Sequence, residues 1–159
     1  INDPNLLPSI TATAWGAKDA QGIFDDFQKL YALAVKQADG YVTRTTKMTC
    51  VLPPTLEANF TKTNMYNVNV SDQLEKNFPN LKFVVVPEYA TDAGQQIQLI
   101  ADLEDGQPTV ELSFTEKMRV FPIDIMKSGF EQKRMQGTNG AIVYRPLFIA
   151  GMLVANDAP

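Results

Sequence analysis

The sequence contains no histidine and a single cysteine, Cys50. Without an imidazole, Ser-His and Cys-His nucleophilic catalysis and His-ligated metals are excluded. One thiol cannot make an intrachain disulfide, a zinc knuckle or an iron–sulfur cluster. Long hydrophobic runs are also missing. The longest, Leu147 to Ala155, spans nine residues, against the ~20 that a membrane-spanning helix requires. The N-terminus lacks a basic region followed by an apolar stretch. The two sequons, Asn59-Phe60-Thr61 and Asn69-Val70-Ser71, matter only in a secretory compartment. Synthesis in the cytoplasm is therefore expected. The chain opens at Ile1 instead of Met and reads as a piece of a longer polypeptide, so these exclusions cover the present residues alone.

What is present is 159 residues, 45% of them apolar, with 14 basic and 18 acidic side chains and a formal charge of −4. That length fits one compact domain, or two small lobes sharing a core. The acidic balance argues against an autonomous nucleic-acid binder. The charge is unevenly spread. From Lys117 to Arg145, six basic residues (Lys117, Arg119, Lys127, Lys133, Arg134, Arg145) face two acidic ones (Asp124, Glu131), giving +4 there and −8 elsewhere. Such asymmetry suits docking between copies, or one surface facing a polyanion. A scatter of solvated charges explains it equally well.

Residues 1–18, with Pro4 and Pro8, read as an extended lead-in. From Asp19, apolar residues at spacings of three and four (Ala20, Ile23, Phe24, Phe27, Leu30, Tyr31, Ala34) predict a helix of about five turns stopped by Gly40. Asp25, Asp26, Lys29 and Lys36 fall on its expected solvent face, with Asp25 and Lys29 four apart. Met48–Leu52 and Leu81–Val86 read as buried strands closed by prolines. A short helix is expected over Thr55–Lys62, and another over Asp72–Phe78 capped by Ser71. Residues 88–94 read as a polar loop. Gln95–Leu103 alternates, Asp105-Gly106 makes a turn, and Thr109–Phe114 alternates again, which predicts a hairpin. Later come strand candidates at Phe130–Gln136, Ala141–Tyr144 and Leu147–Val154. The order describes an α+β chain with an inserted lobe over 46–128.

Few residues carry chemistry. Gly137-Thr138-Asn139-Gly140 lacks the third glycine of a dinucleotide fingerprint and reads as a turn. In a strand, Asp102 and Glu104 share a face and, with Asp105, are the candidates for a divalent cation or an acid/base pair. The competing reading is a hairpin tip that collects solvated carboxylates. Cys50 lies in an apolar strand, where thiols are inert. Trp15 either pins the lead-in onto the long helix or anchors a partner. Arg145 interrupts an apolar run and is either paired internally or presented at an interface. A small-ligand module would need a deep apolar pocket.

Several strings in this order resemble the major capsid proteins of tailed bacteriophages, whose fold is shared with the cellular encapsulin shells. They are Asn2-Asp3-Pro4-Asn5 leading to Trp15, the helix opening Ile23-Phe24-Asp25-Asp26, Leu52-Pro53-Pro54, and Phe78-Pro79-Asn80-Leu81. The most specific is the closing Thr138-Asn139-Gly140-Ala141-Ile142-Val143-Tyr144-Arg145-Pro146-Leu147. The resemblance covers the whole chain and implies the C-terminal portion of the phage major capsid fold, an α+β peripheral domain with a long spine helix plus an inserted axial domain. It implies that 1–45 are lead-in and spine helix, 46–128 the axial domain, and 129–159 the returning strands. The N-terminal arm and extended loop that family members carry are absent from this sequence.

The resemblance further implies a structural subunit of a phage or prophage capsid, self-assembling into an icosahedral shell around DNA. Its partners would be copies of itself, in pentamers and hexamers, with packaged DNA touched non-specifically at most. It implies a virion capsid assembled in the bacterial host cytoplasm, with no cofactor, membrane or small-molecule substrate. An encapsulin-type shell subunit is the nearest alternative, and a carboxylate-dependent enzyme using Asp102, Glu104 and Asp105 is the competitor from another class. On the shell reading, the loops at 88–95 and 104–108 form the tip of the axial domain. Trp15, Glu88, Asp92, Glu104, Asp105, Lys133, Arg134 and Arg145 are then the candidate inter-subunit contacts.

Overall fold

The computed structural model describes residues 9–103 and 105–156. Its longest helix, α1 (Ala20–Gln37), forms where the apolar stripe predicts it. The Asp19 carboxylate caps the start by accepting the Gly22 N–H at 2.9 Å. Asp39 (φ 46°) and Gly40 (φ 82°) turn left-handed to end it, with the Gly40 N–H bonded to the Val35 carbonyl at 3.0 Å.

The helix buries Ile23, Phe24, Phe27, Leu30 and Ala34 against one face of a mixed sheet. Its strands are β1 (Ser9–Ala12), β2 (Lys47–Leu52), β3 (Leu81–Val85), β4 (Ala90–Thr91), β5 (Gly94–Asp102) and β8 (Ile149–Val154). The order is β1-β8-β5-β2-β3, with β4 paired to the start of β5. Register places Cys50 beside Leu99 and Leu99 beside Ala150, while Ile97 lies beside Met152. Alternate residues share a face, so these side chains form one apolar floor under α1. The helices α2 (Pro54–Glu57) and α3 (Val70–Asn77) and a 3₁₀ turn at Ala58–Thr61 add Leu56, Phe60, Val70 and Leu74 to the same core.

Some local expectations change. The helix α3 begins at Val70 with Asn69 at its cap position, so Ser71 lies inside the first turn and caps nothing. Burial of Val70 draws the start forward. The strand β3 is half-buried instead of buried, because it is the sheet edge and pairs only with β2. Residues 87–91 carry a 3₁₀ turn and β4 in place of a plain loop.

The largest difference concerns the expected hairpin after β5. That strand is already paired on both edges, with β8 on one side and β2 and β4 on the other. No edge remains for the segment that follows. Residues 110 onward instead form β6 (Val110–Met126) and β7 (Gly129–Val143), which pair only with each other. The chain thus divides into one compact unit up to Thr109 and from Arg145 onward, and a second, Val110–Tyr144. Of the expected cuts, 45/46 falls within the first unit, where α1 and β2 share one core. The cut at 128/129 falls in the β6–β7 turn. Among the described residues, no helix is long and apolar enough to cross a membrane.

Candidate assembly surface

At 17 and 15 residues, β6 and β7 form an antiparallel ribbon on the order of 50 Å long, at ~3.4 Å per residue. Lys127 and Ser128 close it in a two-residue turn, between Met126 and its partner Gly129. Pro122 donates no N–H to a ladder and sits within the register shift between Val120 and Ile123. Near the open end, the Tyr144 hydroxyl donates to the Glu111 carboxylate at 3.0 Å. That bond holds the phenol above its ordinary pKa of 10.0.

Within the ribbon, Leu112, Phe114, Val120, Ile123, Ile125 and Phe130 are all exposed, Ile125 at 89% and Phe130 at 77%. A lone two-stranded ribbon is marginal in water at best, and these exposed apolar side chains make it a candidate interaction surface. Reading Thr109–Phe114 as half of a short hairpin hid this feature. The signal was available in the alternation that reaches Met118 and Val120 and resumes, one residue out of phase after Pro122, at Ile123 and Ile125.

The expected contact residues fare differently. Trp15 is 1% exposed and packs on Phe60 with ring centroids 6.0 Å apart. It pins the lead-in to the core and offers no surface to a neighbour. Glu88 and Asp92 are exposed. Glu104 lies outside the described residues, as does the Asn2–Asn5 string. Asp105 is exposed and pairs with the Arg145 guanidinium; this hydrogen bond, chiefly, holds its carboxyl below the usual pKa of 3.8. Arg145 also lies over the Phe148 ring, 5.8 Å from its centroid, so it takes the internally paired alternative. Lys133 and Arg134 are exposed on β7. The loops at 88–95 and 104–108 do not share a tip. They flank opposite ends of β5, about 27 Å apart for eight steps of extended strand.

Of the carboxylates proposed for chemistry, Asp102 and Asp105 are engaged structurally. Asp102 Oδ1 accepts the Thr109 N–H at 3.0 Å, and the buried Thr109 hydroxyl donates to the Ala101 carbonyl. Among the described residues, no three Asp, Glu or Cys side chains converge on a cation position. An open cleft of about 400 Å³ lies beside them, lined by Thr45, Thr46, Lys47, Asn80, Asp102 and Leu103. It is polar, unlike the deep apolar pocket of a ligand module.

Two further features escape the sequence reading. Asp26, placed above on the solvent face, is 4% exposed. Its carboxylate accepts the Trp15 indole N–H at 3.2 Å and pairs with Lys18, and with Lys29 at 3.3 Å. The exposed Asp25 takes a hydrogen bond from Gln21 and not from Lys29. Nearby, Lys62 Nζ donates to the carbonyls of Trp15, Gly16 and Lys18 at 2.7, 2.8 and 3.0 Å. The second feature is a tight loop in which Asn64 Oδ1 accepts the N–H groups of Tyr66 and Val68. It displays Met65 and Tyr66, 86% and 77% exposed.

The described residues form a helix-backed mixed sheet and a long ribbon with exposed apolar side chains. The fold is mixed α/β with strands dominating, and solved structures of shells share it. The chain is similar to the capsid of Myoviridae phage XM1, at 12% identity and TM-score 0.74, covering 93% of this chain and 52% of that one. It is also similar to the virus-like particle of Pyrococcus furiosus, at 10% identity and TM-score 0.66, with coverages of 92% and 56%. For Mycobacterium phage Che8 the values are 12% identity and TM-score 0.59, with coverages of 92% and 53%. The chain therefore spans about half the length of these structures. No curated protein sequence matches it. The family model described as Pa193 gp26 major capsid protein matches residues 1–154. The chain belongs to that major capsid protein family.

Proposed function

We propose that this chain is the shell-building part of a phage or prophage capsid subunit, working by repeated contacts with copies of itself and not by bond-making. The observation that carries this reading is the β6–β7 ribbon, whose exposed apolar residues have no cover within their own unit. Closed rings of five and six copies, assembled in the bacterial cytoplasm around DNA, follow from the same reading.

The helix-backed sheet is then the axial lobe and the ribbon is this chain's share of the peripheral domain. In support, α1 shares its core with β2, β5 and β8, which suits a helix of the axial lobe better than a spine outside it. Lys133 and Arg134 are the candidates for weak, sequence-independent contact with packaged DNA. Arg145 is not among them, since Asp105 holds it. Expressing the full reading frame and imaging the product by negative stain tests the proposal. Closed particles are expected; monomers alone, across salt and concentration, would refute it.

A further inference from the structure

We propose that Asn139 and Gly140 form a self-modification site, at which the asparagine loses ammonia through a cyclic imide and becomes aspartate or isoaspartate. The proposal is independent of the shell reading.

Asn139 is the only asparagine followed by glycine in the sequence. The Gly137-Thr138-Asn139-Gly140 string, read above as a turn, lies inside β7. Two compensating bulges interrupt the ladder there. Ser113 pairs with Gly140 and Phe114 with Thr138, which makes Asn139 an extra residue on β7. Glu116 then pairs with Gly137, which makes Thr115 an extra residue on β6. The register gives neither bulged residue a partner directly opposite. Their side chains bond each other instead, the Thr115 hydroxyl donating to the Asn139 amide oxygen.

That hydroxyl polarises the side-chain carbonyl and faces the oxygen on which negative charge develops when Cγ is attacked. The nucleophile is the Gly140 nitrogen. Gly140 has φ +90°, has no side chain to shield its nitrogen, and has nothing within 4 Å of where a Cβ would stand. Its N–H donates to the Thr138 hydroxyl at 3.1 Å, and that hydroxyl donates to the Ser113 carbonyl at 3.0 Å. The two bonds hold the amide in one orientation. Asn139 is exposed and Gly140 partly so, so water and hydroxide reach both.

Hydroxide removes the Gly140 amide proton, and the nitrogen forms a bond to Asn139 Cγ. The Cγ–Nδ2 bond breaks as Nδ2 takes a proton from water and leaves as ammonia. Water then opens the imide ring. Attack at Cγ gives aspartate, whose carboxylate still accepts from Thr115. Attack at the main-chain carbonyl gives isoaspartate, which adds a methylene to the β7 main chain. Either product adds one negative charge to a chain of formal charge −4.

The test incubates the full-length protein in mildly alkaline buffer, folded or in guanidinium chloride. Peptide mass spectrometry then follows the gain of about 1 Da at Asn139. Asn139 should convert faster in the folded chain than in the denaturant. Thr115→Val should slow the folded rate about fivefold, the effect of one neutral hydrogen bond, and Thr115→Ser should restore it. Thr115 is exposed, so both variants keep the fold, and neither should alter the rate in denaturant. A folded rate no higher than the denatured one, or a folded rate indifferent to Thr115→Val, overturns the proposal.

Discussion

Replacing Asp26 by Ala is the most informative single change, because three groups depend on that one carboxylate. Loss of the carboxylate leaves the Trp15 indole N–H buried without its acceptor, at about 1–3 kcal/mol. It also removes the anion shared by Lys18 and Lys29. Breaking a fully buried pair costs about 3–5 kcal/mol, but Lys29 is largely exposed and Lys18 reaches water, so most of that is screened. The net expectation is a loss of about 3 kcal/mol, equivalent to a fall in Tm of roughly 6–12 °C for a chain of this size. Asp26→Asn keeps an oxygen for the indole and should lose about half as much. Trp15 is the sole tryptophan, so its fluorescence reports on the same node during urea unfolding. The variant's emission should shift to the red in the native state, with an unchanged m-value. Asp25→Ala, at an exposed position on the same helix, is the control. If the two variants had the same urea midpoint, the buried node would contribute nothing and the reasoning would be wrong.

Gly94 has φ +143°, and a Cβ there would lie 2.9 Å from the Val154 carbonyl oxygen and 3.0 Å from a Leu153 methyl. Gly94→Ala should therefore cost roughly 2–4 kcal/mol. Gly106→Ala, at φ +83° with open space around it, should cost only ~1 kcal/mol by urea unfolding; equal losses would refute the close-approach argument. Burial pushes the Cys50 thiol well above its ordinary pKa, so Ellman's reagent should label it only at the rate of global opening. Full labelling within minutes in native buffer would contradict the packed β2. The Asp105 pKa is lowered, chiefly by its hydrogen bond to Arg145. The ionised form is therefore the stabilising one. The stability gap between wild type and Asp105→Asn should be full above the unfolded value of 3.8 and close as pH falls below it. A gap that stays constant from pH 6 to pH 3, measured by urea midpoint, would rule this out.

What the sequence disclosed is what neighbouring residues decide. The limits of α1 were legible because Asp19 caps and Gly40 stops it within a turn of the apolar stripe. The strands β2, β5 and β8 were legible from branching and alternation. Their pairing was not, since β5 meets β8 across some fifty intervening residues, and Asp105-Gly106 offered a plausible local turn. Nothing in residues 95–114 says that both edges of β5 are taken. Asp26 shows the same limit at a single side chain. It stands three residues after Ile23 and four before Leu30, inside the apolar stripe, and that position was the available signal. The indole and ammonium groups that make the position tolerable come from the lead-in.

The shell candidates divide along the same line. Arg145 was legible as an anomaly because a charge inside an apolar run must find a partner. Which partner it finds depends on a loop forty residues earlier in the chain, and Asp105 supplies it within the same unit. A cation neutralised in this way is spent on holding the end of β5 to the start of β8, and it is a poor choice for recognising a neighbour. Lys133 and Arg134 lie on β7, which pairs with β6, and no carboxylate forms an ion pair with them among the described residues. The residues that remain available for assembly are therefore those the fold leaves unsatisfied. Among the described residues, the ribbon carries most of the exposed large apolar side chains, with Met65 and Tyr66 on the Asn64 loop a second, smaller display.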